Sequence, residues 1–174
     1  MDKSTIISNL ELAHYNKDFD QLESIAKDAM QEFPEETFGY NYLVEALMEK
    51  EVVPYKAVEL CLIKLIQIDE DNLEAMIKLA EVKEAQGDSE AALATYKAVL
   101  QKNTMQPDAL NAVGEYKLYV EGAHEDALTF FDMAVGVAPT DRSIVNKAIA
   151  LVEMKRYAEA LEIVRYVSTK SYSE

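Results

Sequence analysis

Leu79-Ala80-Glu81-Val82-Lys83-Glu84-Ala85-Gln86-Gly87-Asp88-Ser89-Glu90-Ala91-Ala92-Leu93-Ala94-Thr95-Tyr96 is the stretch that decides the fold. On either side of Gln86-Gly87-Asp88-Ser89, apolar residues recur at steps of three and four, the spacing of one helix face. Gly87 supplies the positive φ on which a helix ends, and Asp88 or Ser89 caps the next one. A connection this short turns the second helix back against the first.

The same arrangement recurs along the whole chain. Phe19-Asp20-Gln21-Leu22, Pro54-Tyr55-Lys56-Ala57, Ser89-Glu90-Ala91-Ala92, His124-Glu125-Asp126-Ala127 and Tyr157-Ala158-Glu159-Ala160 end 33 to 35 residues apart, and four of the five end in alanine. Four residues beyond those ends lie Ala26, Cys61, Tyr96, Phe131 and Val164; three further lie Ala29, Lys64, Val99, Ala134 and Val167. A first helix precedes each, as in Tyr40-Leu43-Val44-Leu47 or Leu110-Val113-Gly114, while Pro34, Pro107 and Pro139 fall between pairs. Single-residue insertions are expected near Val52 and Glu121. One domain over 1–174 is expected, with units near 3–36, 37–72, 73–106, 107–140 and 141–170.

Leu79-Ala80, Gln86-Gly87-Asp88, Ala92-Leu93 and Tyr96, followed by Val113-Gly114, Ala127-Leu128, Phe131, Ala134 and Pro139, resemble the tetratricopeptide repeat family. That family's unit is a helix-turn-helix of roughly 34 residues with a Leu-Gly pair, a later Ala-x-x-x-aromatic and a closing proline. The sequence departs from the pattern at Lys83 and Lys117, where an aromatic is usual, at Asn9 and Lys147 on apolar sites, and at Leu22 in place of a small residue. The resemblance implies an all-α, right-handed superhelical solenoid of antiparallel helix pairs. Because no pair buries its stripe alone, neighbours must stack.

In such a stack the first helices line a concave wall, and the resemblance implies that partner segments lie there. The register puts Glu11, His14 and Tyr15 on that wall, then Asn41, Tyr42 and Glu45, then Lys78 and Glu81. Asn111, Glu115 and Tyr119 follow, with Arg142 and Asn146 from the last unit. Glu11, Glu45, Glu81 and Glu115 occupy one equivalent position. They read either as an acidic groove for a basic or apolar segment, with Asn41 and Asn111 bonding its backbone, or as ordinary solvated glutamates. Family members that grip acidic chaperone tails resemble one another in a lysine, asparagine and arginine clamp. Here its places hold Ile7, Glu11, Tyr42, Glu74 and Lys78, so that activity is not expected.

The net charge of −15 repels phosphate and anionic lipid, so neither nucleic acid nor a membrane surface suits the chain as a partner. One cysteine and a start without a long apolar core suit a reducing cytoplasm. His14 and His124 fall in different units and Cys61 has no cysteine or histidine at ligand spacing, so no metal site is expected, and Asp69-Glu70-Asp71-Asn72 lacks the glycine of a calcium loop. No phosphate-binding glycine loop or nucleophile motif is present; no cofactor and no catalysis are expected. In the last helix Leu161, Ile163, Tyr166 and Val167 offer more apolar surface than one neighbour covers, which suggests self-association or partner docking. The function expected is that of a protein-binding adaptor. The alternative is a secretion or folding chaperone, although the glycine-rich motif usual in such proteins is not evident.

Overall fold

The computed structural model describes the backbone of residues 2–171 and the side chains of residues 2–165. The helices are α1 (Lys3–Tyr15), α2 (Phe19–Glu32), α3 (Thr37–Met48), α4 (Tyr55–Ile68), α5 (Leu73–Ala85), α6 (Ser89–Lys102), α7 (Pro107–Tyr116), α8 (His124–Val137), α9 (Asp141–Glu153) and α10 (Tyr157–Ser171). No strand occurs among the described residues. Equivalent positions can therefore be counted from Lys3, Thr37, Leu73, Pro107 and Asp141. The chain divides into two compact units, Met1–Ala92 and Leu93–Glu174.

In unit 1, α1 to α5 each pack on the next, and α1 also meets α3. The core is built from the stripes read in the sequence: Leu10 and Ala13, Leu22, Ala26 and Ala29, then Leu43, Val44 and Leu47, and Cys61, Leu62 and Leu65. In unit 2, α7, α8, α9 and α10 pack in succession and α7 touches α9. Leu118, Ala127, Leu128, Phe131, Ala150, Leu151 and Ala160 form one of its clusters. Gly114 is what lets α7 and α8 approach. A Cβ there would stand 2.5 Å from Cε1 of Phe131, far inside contact distance.

The three lysines that broke the repeat pattern are each ion-paired to a neighbouring helix. Lys83 of α5 reaches Glu59 of α4 at 2.6 Å, and Gln86 donates to the same carboxylate at 3.1 Å. Lys147 of α9 meets Asp132 of α8 at 2.7 Å, and Lys117 bonds Glu121 at 2.6 Å with Asp126 of α8 at 3.7 Å. All three lysine side chains are largely covered, as long side chains are when the stem is buried and the charge stays at the edge.

Three of the turns within pairs share one hydrogen-bond pattern. Lys17, Gly87 and Lys155 adopt positive φ (56°, 82° and 62°) two residues past the ends of α1, α5 and α9. Their amides bond the carbonyls of His14, Glu84 and Val152, while the following amides bond Ala13, Lys83 and Leu151. This double closure satisfies carbonyls that the helix end leaves open. After the first two of these turns the next helix starts on an acidic cap: Asp18 accepts from the Gln21 amide at 3.0 Å and Asp88 from the Ala91 amide at 3.1 Å. The extra residue expected near Glu121 is absorbed differently, as a π-helical turn over Lys117–Glu121 closed by Gly122 at φ 66°.

Candidate functional site

The first helices of unit 1 enclose an open cavity of about 880 Å3. From α1 come Glu11, His14 and Tyr15; from α3, Tyr42, Val44, Glu45, Met48 and Glu49; from α5, Lys78, Glu81, Val82 and Ala85. Lys17 and Phe19 at the α1–α2 turn, with Tyr55 and Val58 of α4, complete it. The spacing explains the convergence: Glu11 and Tyr15, Glu45 and Met48, and Glu81 and Ala85 are three or four apart and so share a face on each helix. Val44, Val58 and Val82 are core residues that form an apolar floor, while four carboxylates and two lysines stand around it.

Electrostatics are dominated by the acids. Among the described residues no lysine or arginine pairs with Glu11, Glu45 or Glu49, whereas Lys78 is tied to Glu74 at 2.8 Å. His14 packs edge-on to Tyr42 at 5.9 Å and places Nε2 3.3 Å from Oε2 of Glu45. That oxygen is screened from solvent yet makes no hydrogen bond, because the histidine contact is close in distance but not in geometry. Burial, then the charges of Glu11 and Glu45, push the Tyr42 phenol above its ordinary value. Tyr42 is therefore a neutral hydroxyl able both to donate and to accept. A smaller recess of 360 Å3 beside the cavity brings Asn41 together with Phe38, Tyr42, Glu45 and Lys78.

The wall residues expected from unit 2 are placed differently. Asn111 is 1% exposed, inside α7 rather than on an open surface, and its Oδ1 has no hydrogen-bond partner. The stripe of α7 is simply wider than its periodicity suggested, since Ala109 through Gly114 are all buried. Glu115, expected to await a cation, already holds one. Arg142 donates from Nε at 2.8 Å and Nη2 at 2.7 Å, and Asn146 donates at 2.6 Å. Tyr119 lies exposed on the π-helical turn. In α10, Leu161 and Val164 are exposed, but Ile163 turns inward onto the α8–α9–α10 core. The side chains of Tyr166 and Val167 lie outside the described residues. Val164 instead joins Val145, Ile149 and Val152 around an apolar recess of 430 Å3.

Cys61 is buried and its thiol is pushed up by that burial. Among the described residues no three histidines, cysteines or carboxylates converge as metal ligands, and no helix is long and apolar enough to cross a membrane.

No protein-family model and no curated protein sequence matches the chain. Solved structures do. MamA from Desulfovibrio magneticus superposes with a TM-score of 0.81 at 13% identity, over 98% of this chain and 96% of that one. A tetratricopeptide repeat protein from Parabacteroides merdae gives 0.80 at 18% identity, over 98% of this chain and 67% of the other. The chain has the tetratricopeptide-repeat fold. YrrB, described as a tetratricopeptide repeat protein with an unusual peptide-binding site, gives 0.71 at 17% identity over 94% and 84%.

Counted along this tetratricopeptide fold, Glu11, Glu45, Glu81 and Glu115 are each the ninth residue of a first helix. Missing from the sequence reading were the floor and the far end of the cavity: Val44, Met48, Tyr55, Val58, Val82 and Ala85. Met48 and Ala85 were within reach, three and four residues beyond glutamates already singled out. Tyr55 and Val58 were not, because they belong to a second helix.

Proposed function

We propose that the chain is a protein-interaction module that takes a segment of another protein in the unit 1 cavity and performs no catalysis. The observation that carries this reading is the cavity itself, whose apolar floor sits beneath polar groups on three successive first helices, the composition of a site for a side chain and its backbone. The peptide-binding site ascribed to YrrB supports the class of ligand but not its identity. Cys61, single and inert, fits a reducing cytoplasm.

Filling the cavity tests this. Ala85 is exposed and lines it, so Ala85→Trp should keep the circular dichroism spectrum and melting temperature while weakening peptide capture by about tenfold or more. Unchanged capture would place the binding surface elsewhere.

The second reading, a chaperone for a client protein, draws on the apolar recess between α9 and α10. Client solubility on co-expression, lost on Val152→Glu, would favour it. The same recess is the surface through which a second copy would dock, and sedimentation as a strict monomer at high concentration would remove that role.

A further inference from the structure

The molecule contains its own example of what this acidic position binds. At Glu115 the Arg142 guanidinium engages both carboxylate oxygens, from Nε at 2.8 Å and Nη2 at 2.7 Å. This two-pronged pairing is the strongest form of carboxylate recognition available to a side chain. Arg142 is the second residue of α9, the first helix that follows α7. In unit 1 the second residue of α3 is Phe38 and that of α5 is Glu74. Unit 1 thus repeats the acidic receptor at Glu11 and Glu45 but supplies no guanidinium to either.

Building on the proposed capture of a partner segment in unit 1, we infer that the segment presents an arginine to Glu45 and an apolar side chain to the adjoining floor. Glu45 is the receptor because its Oε2 is screened from water without a hydrogen bond, a costly state that a donor relieves. The His14 side chain beside it is 53% exposed, so its ring can turn outward and admit the second prong. Four carboxylates against Lys17 and Lys78 favour a cation over an anion, and Lys78 is already held by Glu74. Guanidinium suits the place better than ammonium, because its planar fork matches the carboxylate and it sheds water more easily in a half-enclosed site. It can also stack on the neutral Tyr42 ring, while Met48, Tyr55 and Val58 receive the neighbouring side chain.

The test selects a randomised peptide library on the full chain, then measures the selected sequences as fluorescent peptides by anisotropy. Each is made with arginine, lysine or citrulline, which keeps the shape of arginine without its charge. The selected peptides should share an arginine beside a large apolar residue, and citrulline should weaken binding about tenfold or more. Lysine should fall between the two. In Glu45→Gln the arginine peptide should lose as much, and the citrulline exchange should then cost little further, as a pairwise contact requires. Peptides displaced by Ala85→Trp yet indifferent to citrulline would overturn the arginine while leaving the cavity as a binding site. If Ala85→Trp displaces none of them, both the arginine and the cavity fall.

Discussion

Glu115 and Glu45 have the same sequence setting and opposite circumstances. Glu115 holds Arg142 and the buried Asn146, so Glu115→Ala leaves an amide without its acceptor and should cost about 1–3 kcal/mol. Glu45 holds no lysine or arginine and touches only the exposed His14 ring, so Glu45→Ala should change stability by no more than about 0.5 kcal/mol. Denaturant midpoints of the two variants check the contrast; equal losses would contradict it. The difference was hidden in the sequence because Arg142 lies 27 residues from Glu115, and helical spacing reports only neighbours three or four apart. Asn111 was misplaced for a related reason: its position on the helix was right, but how far the neighbouring helices cover that face is a tertiary fact. A third acid has a structural role. Hydrogen bonds from Lys27, then Lys50, hold the Glu23 carboxyl below its ordinary value of 4.5. A carboxyl depressed in the folded state contributes stability above its unfolded pKa and loses it as pH falls through the folded one. The stability gap between the native chain and Glu23→Gln, followed by thermal melts, should therefore narrow as pH drops below 4.5. A gap independent of pH would exclude the ion pairs as its source.

Individual helices were legible wherever punctuation was strong. Gly87, Asp88, Pro107 and the alanine near the start of four of the five second helices announced their elements, the first three because each answers a local backbone requirement. Less legible were turns that use the same left-handed residue without glycine. Lys17 and Lys155 hold the place that Gly87 holds, with the same pair of closing hydrogen bonds. A side chain there costs about 1–2 kcal/mol, of which glycine would return part against its own greater freedom when unfolded. Lys155→Gly should accordingly raise stability by up to about 1 kcal/mol, read as a higher denaturant midpoint. A lower midpoint would mean that the Lys155 side chain does something beyond occupying the turn. The surplus residue near Glu121 was detected as a spacing error, but its form was not. A π-helical turn keeps Leu118 buried in the core, where an extra loop residue would have displaced it.

At the scale of the whole molecule, periodicity identified a stack of paired helices, because the repeat is a packing requirement renewed every helix pair, while the resemblance to the tetratricopeptide repeat rested on motif residues such as Gly87, Ala92 and Tyr96. Function is written elsewhere, in wall residues that packing leaves unconstrained. That is why the acidic position could be found from sequence and its occupancy could not. The net charge of −15 frames the same point. It favours a cationic partner at long range and makes association salt-sensitive, but only the local arrangement around Glu45 selects a shape. The most direct measurement is a map of amide shifts in isotope-labelled protein as a selected peptide is titrated in. The account predicts that perturbations gather on Glu11 to Tyr15, Tyr42 to Glu49 and Lys78 to Ala85. Shifts confined instead to the exposed faces of α2 and α4, or to the recess at Val145, Val152 and Val164, would contradict it.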